Sequence, residues 1–235
     1  MQILTGLENG MDGRYLAWAL EHPGGYAYGA DSASAVGNMV AAFEIYKEWV
    51  SRHTGESWLA SIHEVEVHLD EVWDSYNIDD EYNTISSGGY EVNAWFRYDW
   101  KPLTGLEIQR GLKVLSFSRA DLLPMVQELP DVVLDCTYPG ERWSIRGVLR
   151  HIANAEHWYM DRLNLAGIER SGLPEDVCER LALVRSRLEQ ILPTLEGVDL
   201  VRGRAGEFWS PRKMLRRSAW HELDHIEHIG KLLAK

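Results

Sequence analysis

Trp220-His221-Glu222-Leu223-Asp224-His225-Ile226-Glu227-His228-Ile229, near the C-terminal end, is the stretch on which the reading of the chain turns. Steps of four and three residues put His221, His225 and His228 on one line of an α-helix, where imidazoles one turn apart can close on a single ion. Just upstream, Phe208-Trp209-Ser210-Pro211 reads as a helix start, with Ser210 as N-cap and Pro211 at the first helical position. The helix is predicted from about 211 to about 233. Leu215, Ala219, Ile226, Ile229 and Leu233 form an apolar stripe on it, and Lys213, Arg217, Asp224, Glu227 and Lys231 a polar one. The histidine line runs between the two, at the edge of the buried face. An i,i+4 histidine pair there is either a partly solvated helix surface or part of a metal site, and a ligand from another helix decides between these readings.

Working outward, the period is helical from Thr104 to the end. Thr104-Gly105-Leu106-Glu107 fits a capping box, followed by Ile108, Leu112, Leu115, Leu122, Val126 and Leu129, with Pro124 a place for a kink or break. Ser144 caps a second helix carrying Ile145, Val148, Leu149, Ile152, Tyr159 and Leu163. Pro174 opens a third, with Val177, Leu181, Val184, Leu188, Ile191 and Leu195, and Gly197 closes it. Four amphipathic helices predict a four-helix bundle over residues 103–235. On the second helix His151 falls between Val148 and Ala155 on the inward side, whereas His157, six residues on, reads as a surface residue. One imidazole from that helix and two from the last give three neutral nitrogens and an open coordination position. That set suits a divalent transition metal carrying a water, zinc or nickel first, with iron or manganese as alternatives.

The run Trp143-Ser144-Ile145-Arg146 through Leu149, His151 and Glu156, together with Trp209-Ser210-Pro211-Arg212 through Leu215-Arg216-Arg217, Trp220-His221-Glu222 and His225, resembles the DinB superfamily over roughly residues 103–235. The resemblance implies a four-helix bundle with a single metal on one histidine of the second helix and an H-x-x-x-H on the last, which map to His151, His221 and His225. His228 stands where that family often has glutamine, a place beside the ligands. Relatives include thiol-dependent S-transferases and a mycothiol-dependent isomerase, so the resemblance implies a low-molecular-weight thiol and an electrophilic small molecule as partners. Glu222, one residue after a ligand, and Asn154, one turn after His151, are the candidate catalytic helpers, with Arg146 or Arg150 for a substrate carboxylate. Trp143, Trp158, Tyr159 and Trp209 are candidate apolar walls. The other reading is a metal-binding, stress-associated protein without turnover, its N-terminal domain binding a partner or ligand. DinB-like bundles commonly pair through helix faces, so a homodimer is expected.

The first part of the chain has a different texture. Gln2 to Glu8, Arg14 to Leu20, Tyr26 to Gly29 and Glu64 to Asp70 read as strands, with turns at Asn9-Gly10-Met11-Asp12-Gly13 and Pro23-Gly24-Gly25. Ser32 or Ser34 is expected to cap a helix whose face holds Val36, Val40, Phe43 and Trp49 or Val50. This predicts a small α+β domain over 1–75, a connector or extended arm over 76–102, and the bundle after it; the fold class of the whole is α+β. Gly13-Arg14-Tyr15-Leu16-Ala17 and His22-Pro23-Gly24-Gly25-Tyr26-Ala27-Tyr28-Gly29, ahead of a serine and an Ala-rich helix, are similar to the HicB-like fold over about 60 residues. HicB proteins are antitoxins; what carries over here is a shape.

Composition narrows the classes. The 235 residues are 45% hydrophobic with ten Trp, enough for a sizeable core, and no apolar run approaches the ~20 residues of a membrane span. Two cysteines, Cys136 and Cys178, without a CxxC, suit a reducing cytoplasm. The net charge of −12 is uneven: residues 1–100 hold 4 Lys/Arg against 17 Asp/Glu, and the remainder 20 against 19. An acidic first part disfavours phosphate contacts, so neither nucleic acid nor membrane is an expected partner.

Overall fold

The first strands of the computed structural model, which describes residues 1–11, 13–55 and 58–235, follow the alternation and turns of the sequence. β1 (Gln2–Asn9), β2 (Tyr15–Ala19) and β3 (Tyr26–Gly29) pair antiparallel in succession. β4 (Glu66–Asp74) returns parallel beside β1, so the sheet order is β3-β2-β1-β4. A parallel return needs a crossover, which α1 (Ser32–Thr54) supplies. Asp12 of the expected first turn lies outside the described residues.

Two details of α1 correct the sequence reading. Its N-cap is Asp31, not Ser32 or Ser34: the Asp31 carboxylate accepts the Ser34 N–H at 2.7 Å, and the Ser34 hydroxyl accepts the Asp31 N–H at 3.0 Å. A full negative charge beside the free N–H groups of a helix start outweighs a hydroxyl. The buried face is Ala35, Met39, Phe43, Tyr46, Trp49 and Val50, while Val40 is exposed. The chain leaving β3 passes so near that a Cβ on Gly29 would lie 2.1 Å from the Ala35 nitrogen. Only a residue without a Cβ fits at position 29 against the Ala35 backbone, so the first turn of the helix packs directly on the end of β3.

Residues 76–102 are folded into a second, three-stranded sheet. β5 (Tyr76–Ile78), β6 (Thr84–Ile85) and β7 (Tyr90–Val92) run in the order β6-β5-β7, and a 3₁₀ turn follows at Arg97–Trp100. A late hairpin, β8 (Arg202–Arg204) with β9 (Glu207–Trp209), had no place in the sequence reading; its turn sets Ala205 and Gly206 at φ of 52° and 73°, the left-handed pair a two-residue hairpin needs.

The helical elements are α2 (Gly105–Val126), the short α3 (Asp131–Leu134), α4 (Ile145–Arg162), α5 (Val177–Ile191) and α6 (Pro211–Leu233). Thr104 and Glu107 form the expected capping box, and Ser144 accepts the Gly147 N–H. Pro124 neither breaks nor ends α2, because it sits in the last turn, where its missing N–H costs a single bond. Pro174 does not open α5. The helix starts three residues later under Asp176, whose carboxylate accepts the N–H groups of Cys178 and Glu179 at 2.9 Å, and it passes into a 3₁₀ turn at Leu192–Leu195 before Gly197. Leu122 of α2, Ile152 of α4, Leu181 of α5 and Ile229 of α6 meet in one apolar core, which makes these four the bundle. No helix among the described residues is long and apolar enough to cross a membrane.

The chain divides into two compact units, Met1–Lys101 with Asp199–Arg216 and Pro102–Val198 with Arg217–Lys235. The polar stripe expected on α6 is buried over its first part. Lys213, with no exposed surface, pairs with Glu207 and lies 4.4 Å over the Trp209 ring, and Arg216 bonds Asp99 at 2.6 Å above the Trp18 ring. Arg217 is 7% exposed and stacks on Trp220. Long cationic side chains can be buried when a carboxylate and an aromatic face replace their water.

Candidate metal centre

Backbone geometry brings the three histidines together. His221 and His225 are one turn apart on α6, and His151 projects from the second turn of α4, whose N-terminus Ser144 fixes. The Nε2 atoms of His221 and His151 are 3.0 Å apart, and those of His225 and His221 are 3.2 Å apart. Nitrogens bound at ~2.0–2.1 Å to a tetrahedral ion stand about 3.3 Å from one another; the two separations from His221 are close to that, and all three ligand atoms lie within 4.8 Å of one another. Among the described residues His151, His221 and His225 form the group of ligating side chains that fits a divalent metal.

Protonation points the same way. Burial, with Arg142 and Arg170 adding to it, pushes the His151 imidazole down to about 4. His221 lies well below its ordinary value through burial first, and then through His225, His151 and Arg217. Imidazoles held neutral at physiological pH are lone-pair donors, the form a metal takes. Unfolded histidine titrates near 6.5, so between ~6.5 and about 4 the unfolded chain binds more protons than the folded one. The metal-free protein is therefore expected to lose stability as pH falls through that window. Urea midpoints taken down a pH series check this, and a His151→Asn variant should show a shallower slope.

Aromatic rings close the surroundings. Trp143 stacks on His151 with centroids 4.4 Å apart, and Tyr159 and Trp220 present edges to His221 at 6.0 and 5.7 Å. Trp143 and Tyr159 thus stand where apolar walls were expected. Trp158 packs beside Tyr159 under the Arg162 guanidinium, and Trp209 belongs to the other unit, beneath Lys213. His228 is directed to Glu141 at 3.0 Å, and Glu141 also takes Lys235.

The candidate helpers are engaged elsewhere. Both oxygens of Glu222 are held, one by Arg119 at 2.7 Å and the other by Ser118 at 2.6 Å and Arg185 at 2.5 Å. Burial would raise this carboxyl, but the charges of Arg185 and Arg119 and the Ser118 hydrogen bond outweigh it and leave it lowered. Arg185 also pairs with Glu156 at 2.7 Å and donates to the Leu115 carbonyl. Two guanidinium and two carboxylate groups, one from each of α2, α4, α5 and α6, thus form a neutral buried network. Asn154 accepts from Arg180 at 2.9 Å. Arg146 is tied to Asp131 and Asp135, and Arg150 reaches toward the Glu175 carbonyl. The cations whose field reaches His151 are instead Arg142 and Arg170, which the sequence reading passed over because neither shares a helical line with a histidine. His157, read as a surface residue, is 4% exposed and meets the Ile168 carbonyl at 2.8 Å. The loop after α4 folds back over it.

Comparison with known proteins bears on this unit. The family model of the DinB superfamily matches residues 115–229. Among solved structures, YfiT from Bacillus subtilis, described as a probable metal-dependent hydrolase with an unusual four-helix bundle topology, is similar at 23% identity over 55% of this chain and 87% of its own, with a TM-score of 0.43. No curated protein matches the chain.

Proposed function

Because residues 115–229 belong to the DinB superfamily, we propose that this part of the chain holds one divalent transition metal on His151, His221 and His225 and serves metal-dependent transfer of a low-molecular-weight thiol to an electrophile. The observation that carries the reading is the convergence of the His151, His221 and His225 ring nitrogens, all within 4.8 Å of one another. When bound, such an ion lowers the pKa of a coordinated thiol or water and makes a nucleophile at neutral pH. Three neutral ligands leave its full charge in place, with zinc or nickel the first candidates and iron or manganese the next. Trp143, stacked on His151, shields one flank of the ligands from water. Arg142, seated over Trp143, and Arg170 supply positive field beside His151, where the carboxylates of a small thiol can be received.

A second reading, metal binding without turnover, is favoured by the engagement of Glu222 and Asn154 in structural bonds. A transfer that draws its nucleophile from a thiol already acidified by the metal needs no separate base, and for that reason the transferase reading stands first. Untagged protein is expected to carry about one transition metal per chain. Titration of the cobalt-substituted form with bacillithiol, mycothiol and glutathione separates the two readings. A sulfur-to-cobalt absorption band together with consumption of an electrophile supports transfer. A spectrum that no thiol alters, in protein that retains its metal, leaves the second reading.

A further inference from the structure

We propose that the cleft between α4, α5 and residues 163–170 is a binding site for a short-chain aliphatic monocarboxylate. A cavity of about 240 Å³ opens there, walled by Met160, Ala166, Ile168, Leu183 and Val184. It shares no side chain with the histidine triad, so it stands whether or not the metal reading does.

One cation borders this apolar space. Arg187 makes one hydrogen bond among the described residues, from Nε to the Ala166 carbonyl at 3.3 Å, and has no carboxylate partner among them. Arg187 is half-buried, and it lacks the carboxylate partners that Arg146 finds in a pair of aspartates and Arg185 in a pair of glutamates. A half-buried guanidinium with its outer N–H groups unspent is a fork suited to a carboxylate. The backbone makes room for it: Gly167 has φ of +71°, and a Cβ there would lie 2.6 Å from Nη2 of Arg187. His157 spans to the Ile168 carbonyl and holds the loop that forms the upper wall. The site thus has an apolar interior, a cationic rim and a fixed loop, the pattern of a small-ligand pocket.

Volume sets the ligand size. A cleft of about 240 Å³ has room for a short aliphatic chain, and hexanoate is the probe of that size. The chain lies against Met160 and Val184, and the carboxylate meets Arg187.

The methyl group of Met160, which is 1% exposed, reports occupancy directly by NMR of methyl-labelled full-length protein, with the resonance assigned through Met160→Leu. Hexanoate is expected to shift it saturably and to bind at least about tenfold tighter than hexanol, since a charge-assisted pair is lost in the alcohol. Arg187→Gln should bring hexanoate down to the level of hexanol, and Ala166→Leu, which fills the cavity, should abolish both. Hexanoate binding that survives in His221→Ala places the ligand here and not on the metal. No saturable shift with hexanoate, equal affinity for hexanol, or unchanged hexanoate affinity in Arg187→Gln would overturn the proposal.

Discussion

Exchanging Arg185 for methionine is expected to remove about 3–5 kcal/mol of stability, because it strips the shared cation from two buried carboxylates. Arg185 is 4% exposed and bridges Glu156 and Glu222, themselves 3% and 1% exposed. Without it, among the described residues, Glu156 keeps only Arg119, at 3.7 Å, and a buried negative charge is left in excess. Urea denaturation of the full chain, followed by a signal from the bundle, gives the size of the loss. Adding Glu222→Gln in the Arg185→Met background removes that excess charge, so the double variant should be more stable than the sum of the two single losses implies. Strict additivity would show that the network is not a coupled unit.

His221→Ala is expected to abolish stoichiometric metal and, with it, any activity that depends on the metal. His221 is the middle member of the triad, 3.0 Å from His151 and 3.2 Å from His225, so its removal leaves two ligands on separate helices. Loss of a partner outside the ligand set already costs ~10–100-fold in affinity, and loss of a ligand should exceed that. A metal present at about a thousand times its Kd adds ~4 kcal/mol to stability, an increment the variant should no longer show. Elemental analysis and thermal melts with and without added zinc test both effects. Metal retained at one per chain in His221→Ala would place the site elsewhere.

The sequence by itself determined the features that depend on neighbours along the chain. Thr104 with Glu107, Ser144 with Gly147, and Pro211 after Ser210 mark helix starts because a cap acts within one turn. Apolar periodicity places Ile152, Leu181 and Ile229 inside, and the four- and three-residue steps put His221, His225 and His228 on one line. The candidate triad was legible for the same reason, since helical period puts His151 on the inward side of its helix and the resemblance, which rests on local motifs, names the same three residues. What only the tertiary structure decided are the pairings between distant residues. Glu222 lies 104 residues from Ser118 and 37 from Arg185, and its charge reads as a candidate base until those partners arrive. Lys213 and Arg217 look like a solvated stripe until Glu207 and the rings of Trp209 and Trp220 replace their water. His157 looks exposed until the loop at Ile168 covers it. A helical period reports which side of a helix is apolar. Whether a polar side chain on the other side meets water or a partner depends on packing between segments far apart in the chain, and no local spacing encodes it.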